Sequence, residues 1–168
     1  AEIYARPKNT FVARAVGFGS HLQTVTMNGN TTRDFVLPEL TAEDFEAGNF
    51  LQYPWEMSGD APWVITTASP YEGTYCARSG DITHNQGSHL AVTVEVTAPQ
   101  DMTFWYKVSS EDDYDYLRFT VDGVQIVSWS GTVAWAQYTY PVTAGTHTFQ
   151  WSYTKDGSVD TGDDAAYV

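Results

Sequence analysis

Apolar and polar residues alternate with a period of two over much of the chain's second half. Leu90, Val92, Val94 and Val96 interleave with Ala91, Thr93, Glu95 and Thr97. After Pro99-Gln100-Asp101, Met102, Phe104, Tyr106 and Val108 interleave with Thr103, Trp105 and Lys107. Leu117, Phe119 and Val121 run into Asp122-Gly123, and Val124 to Trp129 returns. Trp135, Gln137 and Thr139 then alternate with Ala136, Tyr138 and Tyr140, and beyond Ala144-Gly145 a last run carries His147, Phe149, Trp151 and Tyr153. Successive side chains of a strand point to opposite faces, so this period predicts antiparallel strands with one buried face each. Asp-Gly accepts positive φ at both positions and predicts a hairpin turn. No segment has a helical period with caps. Thr41-Ala42-Glu43-Asp44 resembles a cap, but Phe45-Glu46-Ala47-Gly48 behind it is too short for a stable helix. Strands at short intervals without helices predict a two-sheet sandwich.

The first forty residues read differently. Thr10 to Val16 is a predicted strand closed by Gly17-Phe18-Gly19, and Leu22–Met27, Asn28-Gly29 and Thr31 to Leu37 read as a hairpin. Three strands cannot enclose a core alone. Charge marks the same division: residues 1–38 carry a net +2 and residues 39–168 a net −15, with Pro38-Glu39-Leu40-Thr41 as a short linker between.

Composition narrows the function. The 168 residues hold 25 aromatic side chains and 21 threonines, and the net charge is −13. That abundance of aromatics excludes disorder. The negative charge repels a phosphate backbone, which excludes nucleic acid as a partner. No apolar run is long enough to insert into a membrane. Cys76 is the sole cysteine and reads as a small buried strand residue rather than a reactive thiol. His21, His84, His89 and His147 are scattered without metal-ligand spacing, His147 sits on an alternating strand, and no nucleophile elbow or phosphate loop occurs. The sequence therefore predicts no enzyme. Of the six tryptophans, Trp105, Trp151 and Trp129 lie in strand patterns and are expected to fill the space between sheets. Trp55, Trp63 and Trp135 lie near loops or strand ends. Trp129 and Trp135 also bracket Ser130-Gly131-Thr132, where a tip presenting both rings to a sugar is the alternative use.

Several segments resemble a known family in order. They are Asp44-Phe45-Glu46-Ala47-Gly48-Asn49-Phe50 with Pro54-Trp55, Ser69-Pro70-Tyr71-Glu72-Gly73, Phe104 to Glu111, and Tyr114-Asp115-Tyr116-Leu117-Arg118-Phe119. Val121-Asp122-Gly123, Ala144 to Phe149 and Asp164-Ala165-Ala166-Tyr167-Val168 follow. Together they resemble bacterial secreted jelly-roll domains of the cleaved-adhesin type that accompany gingipain-type proteases, and more distantly MAM-like domains. Asn28-Gly29-Asn30-Thr31-Thr32 and Phe35-Val36-Leu37-Pro38 resemble the closing strands of a carboxypeptidase regulatory-like, Ig-type sandwich. Family members continue past the positions of Tyr167-Val168, so the chain is expected to be part of a longer protein. The resemblance implies an all-β fold: a jelly-roll-like antiparallel sandwich over residues 42–168, preceded at 1–38 by strands of an Ig-like sandwich. It also implies a structural calcium shared by Glu46 and Asp164, with Asp44 and Asp163 as neighbours. The acidic stretches Glu111-Asp112-Asp113 and Asp156 to Asp164 are otherwise solvated loops. The expected function is that of a non-catalytic domain at the cell surface or outside the cell, binding cell-surface glycan or protein. A spacer or filament subunit, self-assembled by strand complementation between chains, is the alternative.

Overall fold

The computed structural model describes residues 42–168 in full and, before them, the backbone of three strands. These are β1 (Glu2–Arg6), β2 (Thr10–Arg14) and β3 (His21–Thr24), an antiparallel sheet with β2 in the middle. The expected Asn28-Gly29 hairpin, the strand at 31–37 and the linker lie outside the described residues.

From residue 42 the chain forms two five-stranded antiparallel sheets, a jelly-roll-type sandwich without helices among the described residues. The alternating segments become β7 (Gly87–Val96), β8 (Gln100–Ser109), β9 (Tyr116–Val121), β10 (Val124–Ser130), β11 (Thr132–Val142) and β12 (Gly145–Thr154). Four shorter strands complete the sheets: β4 (Trp55–Gly59), β5 (Val64–Thr66), β6 (Cys76–Arg78) and β13 (Ala165–Tyr167). One sheet has the order β10-β9-β12-β7-β4 and the other β11-β8-β13-β6-β5. Of the weak helix candidate at 41–48, the described residues 42–48 are irregular chain and turns, with Phe45 and Gly48 at positive φ.

The predicted faces pack the core. Leu90, Val92, Leu117, Phe119, Phe149, Trp151 and Tyr153 of the first sheet meet Phe104, Tyr106 and Val108 of the second. Phe119 is fully buried, 4.7 Å from the Phe104 ring centroid and 5.3 Å from that of Trp151. Burying one such ring contributes about 1.5–3 kcal/mol by area. Asp122 and Gly123 join β9 to β10 with φ of 51° and 78°, as the Asp-Gly signal requires. Asp122 also ties this turn to β12, its carboxylate accepting from Thr148 N at 2.8 Å and meeting His147 Nδ1 at 2.8 Å. His147 thus holds a turn in place. Cys76 is buried on β6, and burial pushes its thiol up to about 11, far from thiolate at neutral pH.

Two irregularities set the geometry of the second sheet's outer face and edge. Strand β11 carries one extra residue between Val133 and Ala136, which pair with Val108 and Tyr106. Strand β13 covers only the end of β8, pairing Ala165 with Ser109 and Tyr167 with Lys107, so among the described residues β8 from Gln100 to Trp105 has a ladder on its β11 side alone.

Candidate functional site

The bulge in β11 places Ala134 and Trp135 opposite Lys107 and turns Trp135 to the outside of the sheet. Trp105, between the inward Phe104 and Tyr106 on β8, points the same way. Tyr71, from the loop before β6, lies flat on Trp105 with centroids 3.8 Å apart and planes at 17°, and it meets Trp135 edge-on at 6.0 Å. Ser69 fixes this loop at positive φ: its carbonyl accepts Trp135 Nε1–H at 2.9 Å and its hydroxyl accepts from Lys107 Nζ at 2.7 Å. Lys107 also lies over the Tyr167 ring, 4.8 Å from its centroid. The result is an outward aromatic face with a cation and a backbone loop beside it. Tyr71 is 45% exposed, so its ring is open to a ligand.

This corrects the sequence reading of Trp105, which packs outside the sandwich rather than between its sheets. Alternation showed that Trp105 and Phe104 face opposite ways, but both faces of β8 are aromatic, so composition did not say which was interior. Trp129 does belong to the interior. Its ring stacks on Tyr106 at 3.8 Å and meets Tyr138 edge-on at 5.4 Å. Trp129 and Trp135 therefore lie on opposite sides of the β11 sheet and form no common tip. Tyr71 was missed as a site residue; the Pro-Tyr-Glu-Gly loop that carries it was visible, but its docking on Trp105 spans 34 residues.

A cavity of about 750 Å³ adjoins this face. It runs from Trp105, Trp135 and Tyr71 inward to Val92, Val94, Phe149 and Trp151, and its rim carries Glu43, Asp44, Glu72 and Asp101.

The four expected calcium ligands fall into two places. Glu46 Oε1 accepts from Thr74 N and Tyr75 N, both at 2.8 Å, and these hydrogen bonds lower its pKa, keeping it ionised. Gly73, at φ 66°, completes the cradle: a Cβ there would come within 2.5 Å of the same oxygen. Asp44 lies in the same loop, accepting from Glu46 N at 3.0 Å. Asp163 and Asp164 have other partners. Asp164 is held by the Lys155 ammonium and by the Tyr153 hydroxyl at 3.1 Å, and Asp163 by the Tyr167 hydroxyl at 3.1 Å and Lys107 at 3.7 Å. Glu46 and Asp164 thus have different partners, two backbone amides for the one and the Lys155 ammonium with the Tyr153 hydroxyl for the other.

A third acidic group lies at the end of β12. Single carboxylate oxygens of Glu111, Asp115 and Asp156 lie within 4.8 Å of one another. Burial and the charges of Asp156 and Asp115 raise the Glu111 pKa. Lys155 reaches Asp115 at 3.3 Å and serves as this group's own cation.

No family model matches the sequence, and no curated relative matches it. Solved structures do match the fold. The CBM22-1 xylan-binding domain of Xyn10C from Paenibacillus barcinonensis superposes with a TM-score of 0.52 at 18% identity, over 76% of this chain and 87% of that one. TmCBM61, solved with β-1,4-galactotriose, gives 0.49 at 20% identity, over 74% and 93%. At such identities the likeness is one of fold: the chain shares the jelly-roll sandwich of carbohydrate-binding modules.

Proposed function

We propose that this chain is a non-catalytic, extracellular accessory domain that binds cell-surface glycan through the outward face formed by Tyr71, Trp105 and Trp135. The observation that carries this reading is the docking of an exposed tyrosine against two outward tryptophans, on a sandwich whose likeness includes a xylan-binding domain. Sugar rings present C–H faces that stack on aromatic rings, and the face offers such rings beside the Lys107 ammonium. Titration calorimetry against a glycan panel that includes xylohexaose tests it. Tyr71→Ala and Trp105→Ala are each expected to weaken binding about tenfold, the equivalent of one lost aromatic stack. Wild-type protein that binds no glycan in the panel, or variants that bind as well as wild type, would remove this function.

Structural calcium belongs to the same proposal, held by Glu46 and Asp44 with loop carbonyls. A ligand bound only to the native state raises its stability, so the melting temperature is expected to rise with millimolar calcium and fall back with chelator. The Glu46→Gln variant is expected to lose that response. A melting temperature indifferent to calcium and chelator sinks the metal.

Strand complementation between copies is the second reading, favoured by the stretch of β8 from Gln100 to Trp105, which no strand among the described residues pairs on its β13 side. Light scattering that shows a monomer at high concentration argues against it.

A further inference from the structure

The outward residues of the first sheet form rows across its strands. Ser128 of β10 pairs with Arg118 of β9, Arg118 with Ser152 of β12, and Ser152 with His89 of β7. Leu117, Phe119, Trp151 and Tyr153 alternate with them and fill the core, so this row faces out. On either side of Arg118, Tyr116 pairs with Thr154 and Thr120 with Gln150. The positions around Arg118 on the pleat, Ser128, Ser152, Tyr116, Thr154, Thr120 and Gln150, are thus all uncharged. Acids border this island: Glu56 on β4 lies two strands beyond Gln150, and Asp112 accepts from Ser130 Oγ at 3.2 Å.

Residues 39–168 carry a net charge of −15, and acids hold most of their cations. Arg78 pairs with Asp81 at 2.5 Å, Lys107 with Asp163 at 3.7 Å, and Lys155 with Asp160 at 2.8 Å. Arg118 is the one Lys or Arg of residues 42–168 with no carboxylate among the described residues within 4.0 Å. Its guanidinium lies over the Tyr116 ring, 4.6 Å from the centroid, and donates through Nη1 to Thr154 Oγ1. These two contacts orient the fork and leave its charge unneutralised. Beside it, Gln150 Nε2 donates to Ser152 Oγ at 2.7 Å, so the collar is itself held in place. An oriented planar cation in a neutral polar collar suits one planar anion.

We propose that this face binds an acidic sugar, whose carboxylate pairs with the Arg118 guanidinium. The fork of N–H donors matches the two oxygens of a carboxylate. The hydroxyl and amide groups of Thr120, Gln150 and Ser128 offer the mixture of donors and acceptors that ring hydroxyls take up. An acidic side chain of a protein would use the fork alone, so the collar favours a sugar. The chain's overall charge opposes a polyanion, but charges farther than about 8 Å are screened at physiological salt. A single carboxylate on an otherwise neutral oligosaccharide therefore fits best. This face belongs to the first sheet and the stacked rings of Tyr71 and Trp105 to the second, so it stands or falls separately from binding at those rings.

The test is a residue-resolved NMR titration of the 168-residue chain with glucuronosyl-xylobiose, its carboxyl-reduced form, xylohexaose, inorganic sulfate, or the peptide Gly-Glu-Gly. Glucuronosyl-xylobiose is expected to shift the Arg118 Nε–H and the amides of Arg118, Thr120 and Ser152. The carboxyl-reduced sugar is expected to bind this face about tenfold more weakly or worse, since it lacks the charged partner. Arg118→Gln is expected to abolish these shifts, and Arg118→Lys, which keeps the charge but not the fork, to weaken them about tenfold. Tyr71→Ala is expected to leave them unchanged. Four results overturn the proposal: no shift in this row, equal binding of the reduced sugar, equal binding by Arg118→Gln, or an equal response to sulfate or Gly-Glu-Gly. The last would make the face a general anion site or a site for protein acids. Xylohexaose that shifts Trp105 while this row stays silent would leave glycan binding at the stacked rings intact and remove the acidic-sugar site alone.

Discussion

Lys155 shows how far one side chain can reorganise an acidic surface. Its side chain is fully buried, with Asp115 Oδ2 at 3.3 Å, Asp160 Oδ1 at 2.8 Å and Asp164 in contact. Burial by itself would lower its pKa; the hydrogen bonds it donates to Asp160, Asp164 and Asp115 outweigh that and raise it above the ordinary lysine value. A raised base stabilises the fold at every pH below its unfolded value, so Lys155 contributes throughout the neutral range and its share is lost only in strong alkali. The same bonds lower the pKa of Asp160, so that carboxylate's contribution is present above its ordinary value near 3.8 and lost as pH falls through the depressed one. Lys155→Met is expected to cost ~3–5 kcal/mol in urea denaturation at pH 7, because Asp115 then stays buried without a counter-charge. A loss below 1 kcal/mol would mean that water reaches Asp115. This cluster was not legible in the sequence. Asp164 stood out as a carboxylate, but its partner Lys155 is also held by Asp115, forty residues away in the chain and brought beside it by the pairing of β9 with β12.

Among the elements, legibility followed length and locality. Strands β7 to β12 are six to eleven residues long and show their buried face as alternation, so periodicity found them. Strands β4, β5, β6 and β13 have three to five residues, too few for a period to register, and their partners lie far away: Tyr167 pairs with Arg78. Turn chemistry was legible where the turn is tight. Gly123 has φ 78° and nothing within 4 Å of the position a Cβ would take, so a side chain there meets backbone strain alone. Gly123→Val is expected to destabilise the domain by about 1–2 kcal/mol without changing the structure of either sheet. Equal melting temperatures for the two proteins would mean that the turn relaxes out of its left-handed conformation. The bulge in β11 was not legible, since it shows only against the register of β8, yet it turns Trp135 outward and makes the aromatic face.

At the scale of the whole molecule, the sandwich class and its polar balance could be read from residues 42–168, whereas strand order could not. Order depends on which edges meet, and alternation says nothing of neighbours. The observed order sets the route by which the chain reaches its fold. Strand β13, the last in sequence, lies in the middle of its sheet, so β6 and β8 have nothing between them until residues 165–167 arrive. Contacts between such distant segments make loop closure costly and folding slow. Refolding followed by tryptophan fluorescence is expected in the millisecond-to-second range, and a chain truncated after Thr154 is expected to give no cooperative transition. A truncated chain that unfolds cooperatively would show that the second sheet closes without β13. During synthesis, residues through 167 must leave the ribosome before the second sheet can shut. Until then Ala77 and Val108, which flank the place of β13, remain open to solvent and to chaperones.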